Sequence, residues 1–412
     1  MSGMSGMSGV SGASGASGTR GVQADPKPRS FPPGTWLGLL GGGQLGRMFT
    51  MAAQSMGYKV CVLDPAPDSP AGASADRQIV APYDDPSALA ELAALCGAVT
   101  TEFENVPATS LDYLAQRCVV SPRADSVAVA QDRMREKAFA RSCGLPVAPY
   151  AEIRSADDLR AADPGLFPAI LKAARLGYDG KGQARVTGVD EAVAAFEAMG
   201  AVPCVLERML PLMMEVSVIV ARTFDDQAVA FPVAENQHRN GILALSALPA
   251  RVSQDLALRA TQATLTMARA LDYVGVLCVE FFVLEDNSLV VNEMAPRPHN
   301  SGHSTIDACL TSQFEQQARV MAGLPLGSTQ QHTAAVMVNL LGDLWFRAPD
   351  PSRAVEPDWR RVLSHPQARL HLYGKAEPRP GRKMGHVTVR GETVEDAMRI
   401  AGAIERDLGI AF

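Results

Sequence analysis

Residues 276–303 read VLCVEFFVLEDNSLVVNEMAPRPHNSGH. Two runs rich in β-branched and aromatic residues, Val276 to Phe282 and Leu289 to Met294, flank the turn-forming Glu285-Asp286-Asn287-Ser288, the pattern of a β-hairpin. With Asp286-Asn287 as a two-residue loop, counting outward sets Glu280 directly opposite Glu293. Two carboxylates facing each other on apolar strands repel by roughly 4 kcal/mol at 4 Å and an effective dielectric of 20. A divalent cation between them removes the conflict, and hard oxygen donors favour Mg²⁺; a slip of register would separate them instead. The segment that follows is polar and stiffened by Pro296 and Pro298. His299 and His303 have the spacing of one helix face, but Pro298 and Gly302 disfavour a helix there. Hydrogen bonding to an oxyanion or a small polar substrate fits these histidines better than zinc.

Upstream, the apolar Ala169-Ile170-Leu171 ends in Lys172 and leads to Gly177-Tyr178-Asp179-Gly180-Lys181-Gly182-Gln183. Three glycines around a lysine suggest a loop folding over phosphates beside a fixed cation; the alternative is a solvated hairpin tip, since Asp-Gly is a strong turn signal. Near the amino terminus, Trp36 to Leu40 reads as a buried strand, and Gly41-Gly42-Gly43-Gln44-Leu45-Gly46 opens a helix to about Met56. With Asp64 closing the next strand, this satisfies a dinucleotide fingerprint. Physically it says only that backbone N–H groups can meet an anion at a helix N-terminus, and a phosphate monoester would serve as well. Downstream, Lys375, Arg379, Arg382 and Lys383 form a basic cluster, an anion hook or a solvated turn.

Strand and helix signals alternate from residue 36 to about 125, the pattern of a parallel α/β domain. One helix is expected from about Val127 to Cys143, then short strands to about 208, then a longer α+β body. Residues 1–34 are Ser/Gly-rich and too polar to order themselves; they are excluded from the fold. The chain carries 38 Lys and Arg against 44 Asp and Glu, a net charge of −6, which argues against binding to a nucleic-acid backbone. Its seven cysteines are scattered, with no C-x-x-C, so neither a zinc knuckle nor a secreted disulfide framework is expected. No apolar run is long enough for a membrane span, and a cytoplasmic location is the expectation.

In order along the chain, GGGQLGRM, LKAARLGYDGKGQ, ENQHRNGIL, VEFFV, NEMAPRPHNSGHST and GRKMGH resemble the ATP-grasp superfamily, and within it the N5-carboxyaminoimidazole ribonucleotide synthetase family of purine synthesis. The resemblance implies an α/β and α+β chain with an ATP-grasp fold. Its parts would be an N-terminal parallel α/β ribonucleotide-binding domain (35–125), a linker helix and lid (126–208), a central antiparallel ATP domain with the metal site (209–324) and a C-terminal domain (325–412). It implies a ligase that carboxylates 5-aminoimidazole ribonucleotide with bicarbonate and ATP, working as a homodimer.

The resemblance also implies roles. Arg133 and Lys172 would meet phosphates, with Gly177, Tyr178, Asp179, Gly180, Lys181, Gly182 and Gln183 closing over them. Glu207, Arg208, Met209 and Leu210 would line the adenine pocket, Glu215 would take the ribose hydroxyls, and His238 and Asn292 would lie beside the nucleotide. Glu280 and Glu293 would hold Mg²⁺ or Mn²⁺. The wider superfamily often has an Asn two residues beyond the second metal Glu, where this chain has Ala295. Gly43, Gln44, Leu45, Tyr178, Lys181, Arg297, Lys375, Arg382 and Lys383 would bind the ribonucleotide. Asp179, Lys181, Arg297, His299 and Asn300 would serve the chemistry, with Asp179 taking the amine proton. The alternatives are a formate-using glycinamide ribonucleotide transformylase, a nicotinamide oxidoreductase resting on GGGQLG, and a nucleotide sensor without turnover.

Overall fold

The computed structural model describes residues 30–177, 182–347 and 353–410. Most of the expected tail, and Tyr178, Asp179, Gly180 and Lys181 of the glycine loop, lie outside them.

Three sheets organise these residues. The first is parallel, in the order β3-β2-β1-β4-β5, from Trp36–Leu40 (β1), Lys59–Leu63 (β2), Arg77–Ile79 (β3), Ala98–Thr101 (β4) and Val119–Val120 (β5). Its apolar strands are covered by helices Gln44–Ser55 (α1), Pro86–Leu95 (α2), Ala108–Ala115 (α3) and Ala124–Ala130 (α4). Helix α2 shows why its boundary falls where it does: Pro86 occupies the first turn and Asp85 accepts the Ala88 N–H. The order reverses beside β1, where β2 lies on one side and β4 on the other, so the crevice beyond β1 and β4 is the switch point at which such sheets bind ligands.

The single helix expected over 127–143 is two. After α4 the chain breaks, and Asp132, in extended conformation, accepts the N–H groups of Met134 and Arg135 to start Arg133–Ser142 (α5). A capping carboxylate outweighs an apolar period that runs across the break. The kink aims Arg133 inward.

The second sheet, β6-β9-β7-β8, is antiparallel and small: Tyr150–Ile153 (β6), Ala169–Ala173 (β7), Gln183–Val186 (β8) and Cys204–Arg208 (β9), with Ala156–Ala161 (α6) and Val189–Ala198 (α7) completing its own core.

The third sheet runs β15-β14-β10-β12-β13-β16-β18-β17, with β11 paired on β10. It comprises Leu212–Arg222 (β10), Ala228–Ala230 (β11), Ala234–Arg239 (β12), Ile242–Leu248 (β13), Gly275–Leu284 (β14), Leu289–Ala295 (β15), Ala334–Leu341 (β16), Ala368–Leu372 (β17) and Lys383–Gly391 (β18). Helix Gln254–Ala270 (α8) buries Leu256, Ala260, Ala263 and Met267 with the apolar faces of β10 and β14. The short Thr305–Ala308 (α9) precedes Gln313–Met321 (α10), whose Phe314, Ala318 and Met321 enter the core of the first sheet. Trp359–Leu363 (α11) and Val394–Asp407 (α12) cover the C-terminal strands. β13 pairs directly with β16, so the sheet passes without interruption into the C-terminal segment. Among the described residues no helix is long and apolar enough to cross a membrane.

Candidate active site

The hairpin that opened the sequence reading does place Glu280 opposite Glu293, by a different route. Leu284 donates its N–H to Ser288 at 3.0 Å, closing a three-residue loop in which Asn287 has a left-handed φ of 61°. Phe281 then faces Val291, Phe282 faces Val290 and Val283 faces Leu289, one residue out of the register a two-residue loop would give. A β-bulge between Glu280 and Phe281 absorbs the extra residue, Asn292, and restores the facing carboxylates. Bulges re-aim side chains, and here Asn292 and Glu293, consecutive in sequence, both reach the same cavity.

That cavity measures about 1020 Å³ and lies where the three sheets meet. Ile170, Lys172 and Gln183 line it from the second sheet, Glu215, His238, Leu243, Glu280, Phe282, Asn292 and Glu293 from the third, and Gln44 and Leu45 of α1 with Glu102 and Glu104 after β4 from the first domain. Arg133, Glu136, Gly177, Arg297, His299, Asn300 and Lys383 also line it.

Electrostatics divide the two facing carboxylates. Burial, reinforced by Glu293 across the hairpin, pushes Glu280 up to about 7. Burial also opposes ionisation of Glu293, but Arg133, at 3.0 Å, with Lys172 and His238, brings it below the ordinary carboxylate range. Among the described residues no third His, Cys, Asp or Glu completes a metal-binding group. Two hard oxygen donors fit Mg²⁺, which keeps waters and phosphate oxygens as its other ligands.

Glu215 lies 2.6 Å from His238 Nδ1. Burial alone would lower this histidine; the Glu215 contact and the charges of Glu280 and Glu293 raise it. His299 is driven well below its ordinary value by burial and by Arg297, and its Nε2 lies 3.3 Å from Glu280. Its Nδ1 contacts Ser301 Oγ at 2.8 Å, and that hydroxyl begins a buried chain through Ser217, Asn236 and Ser246 that fixes the ring. Asn300 is buried with neither side-chain polar atom bonded to protein, an amide free to meet a ligand. His303 turns away and packs against His386, 4.8 Å between centroids, so the two histidines share no site.

The glycine turn holds an anion, and the anion belongs to the chain itself. Gly42 donates its N–H to Asp64 at 2.6 Å, Gly46 donates to Glu102 at 2.7 Å, and Gly43 also donates to Glu102. A side chain on Gly43 would collide with the Glu102 carboxylate. In this structure these N–H groups therefore meet the chain's own carboxylates, while Gln44 and Leu45 stand on the cavity wall. Asp64 also accepts from Ala66 N–H and Tyr83 O–H, so the acid of the dinucleotide fingerprint is engaged.

Other expected residues stand outside the wall. Glu207 is buried between Lys137 (2.5 Å) and Lys172 (3.0 Å); burial would raise it, but the two lysines hold it down at about 2. The N–H groups of Arg208 and Met209 bond to Pro149 and Pro168 carbonyls, and Leu210 is half-buried beside them. Gly182 accepts the Ala173 N–H. Lys375 donates to the Lys383 carbonyl at 2.7 Å and Arg382 to that of Glu377 at 2.5 Å, so both flank Lys383 without lining the cavity.

The sequence reading missed three acids. Glu102 and Glu104 follow β4 at the switch point, a position that could have been read from TTEFEN after a strand. Glu104 accepts from Arg297 Nε at 2.6 Å. Glu136, on α5, accepts the Met294 N–H at 2.5 Å, and burial pushes it up to about 8. A carboxyl raised from its ordinary 4.5 makes the folded state hold its proton longer than the unfolded one, so this stability is present at low pH and lost as pH rises toward 8. Glu136→Gln in metal-free protein is therefore expected to melt several degrees higher than wild type at pH 8.5 and near it at pH 5. Equal destabilisation at both pH values in thermal scans would show that the proton does not matter.

Three family models match the chain: the ribonucleotide synthetase preATP-grasp domain over residues 35–131, the ATP-grasp domain over 138–314 and the phosphoribosylaminoimidazole carboxylase C-terminal domain over 335–399. The N5-carboxyaminoimidazole ribonucleotide synthase of Brucella melitensis is 48% identical over 362 residues, covering 87% of this chain and 97% of its own. A solved N5-carboxyaminoimidazole ribonucleotide synthetase in complex with ADP is similar at 41% identity and a TM-score of 0.85, over 92% of this chain and 98% of that one. The synthase of Aspergillus clavatus, solved with ADP and 5-aminoimidazole ribonucleotide, is similar at 31% identity and a TM-score of 0.82, over 92% and 99%. With a parallel nucleotide-type domain, an ATP-grasp body and relatives aligned over nearly their whole length, this chain belongs to the N5-carboxyaminoimidazole ribonucleotide synthase family of ATP-grasp ligases.

Proposed function

We propose that the chain carboxylates 5-aminoimidazole ribonucleotide with bicarbonate at the cost of ATP, giving N5-carboxyaminoimidazole ribonucleotide, ADP and phosphate in purine synthesis. The observation that carries the proposal is one cavity holding the facing Glu280 and Glu293, the cations Arg133 and Lys172, and the polar group Arg297, His299 and Asn300. Glu280 and Glu293 would hold Mg²⁺, which supplies neutralisation of polyphosphate charge. Arg133 and Lys172 align the phosphates, and Arg297 and Asn300 orient bicarbonate as its oxygen takes the terminal phosphoryl group. Carboxyphosphate, or CO₂ released from it in the enclosed site, then meets the exocyclic amine. Asp179, read from sequence as its proton acceptor, lies outside the described residues.

In this reading residues 35–125 take the ribonucleotide, with Gln44, Leu45 and Lys383 on its side of the cavity and Lys375 and Arg382 adding positive field. Residues 126–208 and 209–324 hold the nucleotide between them, and 325–412 close the site. Bicarbonate as carbon donor, Mg²⁺, a homodimer and a cytoplasmic location are part of the same proposal and rest on the family.

ADP release is expected to rise when aminoimidazole ribonucleotide and bicarbonate are both present, with an equal amount of carboxylated product. Calorimetry is expected to show binding of the ribonucleotide and none of NAD or NADP. Formate-dependent turnover of glycinamide ribonucleotide, or tight dinucleotide binding, would replace this reading with one of its alternatives.

A further inference from the structure

Lys137 is 1% exposed and Glu207 is 3% exposed, and neither reaches the cavity wall, whereas Lys172 does. One oxygen of Glu207 lies 2.5 Å from Lys137 and the other 3.0 Å from Lys172. Three ions are thus buried together where one pair would balance. Burying an ion pair rarely stabilises more than apolar side chains of the same volume would, so fold stability alone gives no reason for the second lysine.

Charge at the cavity does give one. A Lys172–Glu207 pair alone would present no net charge to a bound polyphosphate. With Lys137 the group carries one net positive charge, and the member facing the cavity is Lys172. Helix α5 makes the arrangement rigid. Arg133, one turn before Lys137, pairs with Glu293 at 3.0 Å, and Glu136 holds the Met294 N–H.

We propose that Lys137 is a positioning residue for the nucleotide: by holding the far oxygen of Glu207 it leaves Lys172 an effective cation for the phosphates. This rests on the reading that Lys172 meets those phosphates.

The test is calorimetry on the full chain with ADP and adenosine as probes, read as the ratio of their affinities. A loosened pocket weakens both ligands, whereas a lost charge weakens ADP alone. Lys137→Met is expected to lower the ratio about tenfold, the scale of one partly screened unit charge several ångströms away. Lys137→Met with Glu207→Gln removes one charge of each sign and is expected to return the ratio to near wild type. Lys172→Met separates the two levels: an unchanged ratio there removes the reading of Lys172 itself. A lowered ratio in Lys172→Met with an unchanged one in Lys137→Met overturns the proposal. So does failure of the double variant to recover. If Lys137→Met does not fold, Lys137→Gln, which removes the charge and keeps a polar partner for Glu207, decides, and an unchanged ratio overturns the proposal.

Discussion

Glu280→Gln and Glu293→Gln will each lower Mg²⁺-dependent ATP turnover by about 10³-fold, the scale seen when one preorganised charge-stabilising group is removed. Each substitution removes a charge and almost no volume, so neither opens a cavity in the hairpin. Their effects on metal-free stability will have opposite signs. Glu280 is held up to about 7 by burial and by Glu293, so above that pH the wild type bears a buried repulsion that the amide relieves, and Glu280→Gln will melt higher at pH 8. Glu293→Gln removes the partner of the half-buried Arg133 and will melt lower. Substantial Mg²⁺-dependent turnover in either variant would sink the paired-carboxylate site. Melting shifts of the same sign would mean that Arg133, rather than the facing glutamates, sets the balance.

Arg297→Gln will lose about 10²- to 10³-fold in bicarbonate-dependent product formation and will also lose stability. The second loss follows from Glu104, whose carboxyl burial would raise but which Arg297, bound at 2.6 Å, holds below its ordinary range. Breaking this half-buried pair on one side is destabilising because the remaining Glu104 charge is left uncompensated. The two losses are separable. Adding Glu104→Gln removes the stranded charge, so the double variant will recover most of its melting temperature while product formation stays low. Recovery of both together would make Arg297 a structural cation and would leave bicarbonate to Asn300 and His299.

Local chemistry was legible in the sequence and distant pairing was not. The alternation after Trp36, the strands around Glu280 and Glu293 and the basic run ending in Lys383 are each signalled by residues close together in the chain. Even the faulty step, a two-residue loop, led to the right pairing because the hairpin carries a compensating bulge. The break at Asp132 was hidden because an apolar period continues across it, and a single capping carboxylate decides the matter. The pairing of Arg133 with Glu293 spans 160 residues, and that of Arg297 with Glu104 spans 193; no periodicity encodes either. The glycine turn shows the limit most plainly. GGGQLG correctly announces N–H groups aimed at an anion, but only the fold could disclose that Glu102 and Asp64 supply it.

The bulge at Asn292 has a consequence for how this gene can change length. Between the turn and Glu293, β15 carries one more residue than its ladder with β14 requires. A single-codon deletion anywhere in that stretch can be absorbed by flattening the strand, and Glu293 still arrives opposite Glu280. An insertion has no such slack: it needs a second bulge, or it carries Glu293 to the other face of the sheet. The metal pair is therefore buffered against shortening and exposed to lengthening. What a shortened strand would forfeit is the second neighbouring side chain at the cavity, the amide of Asn292.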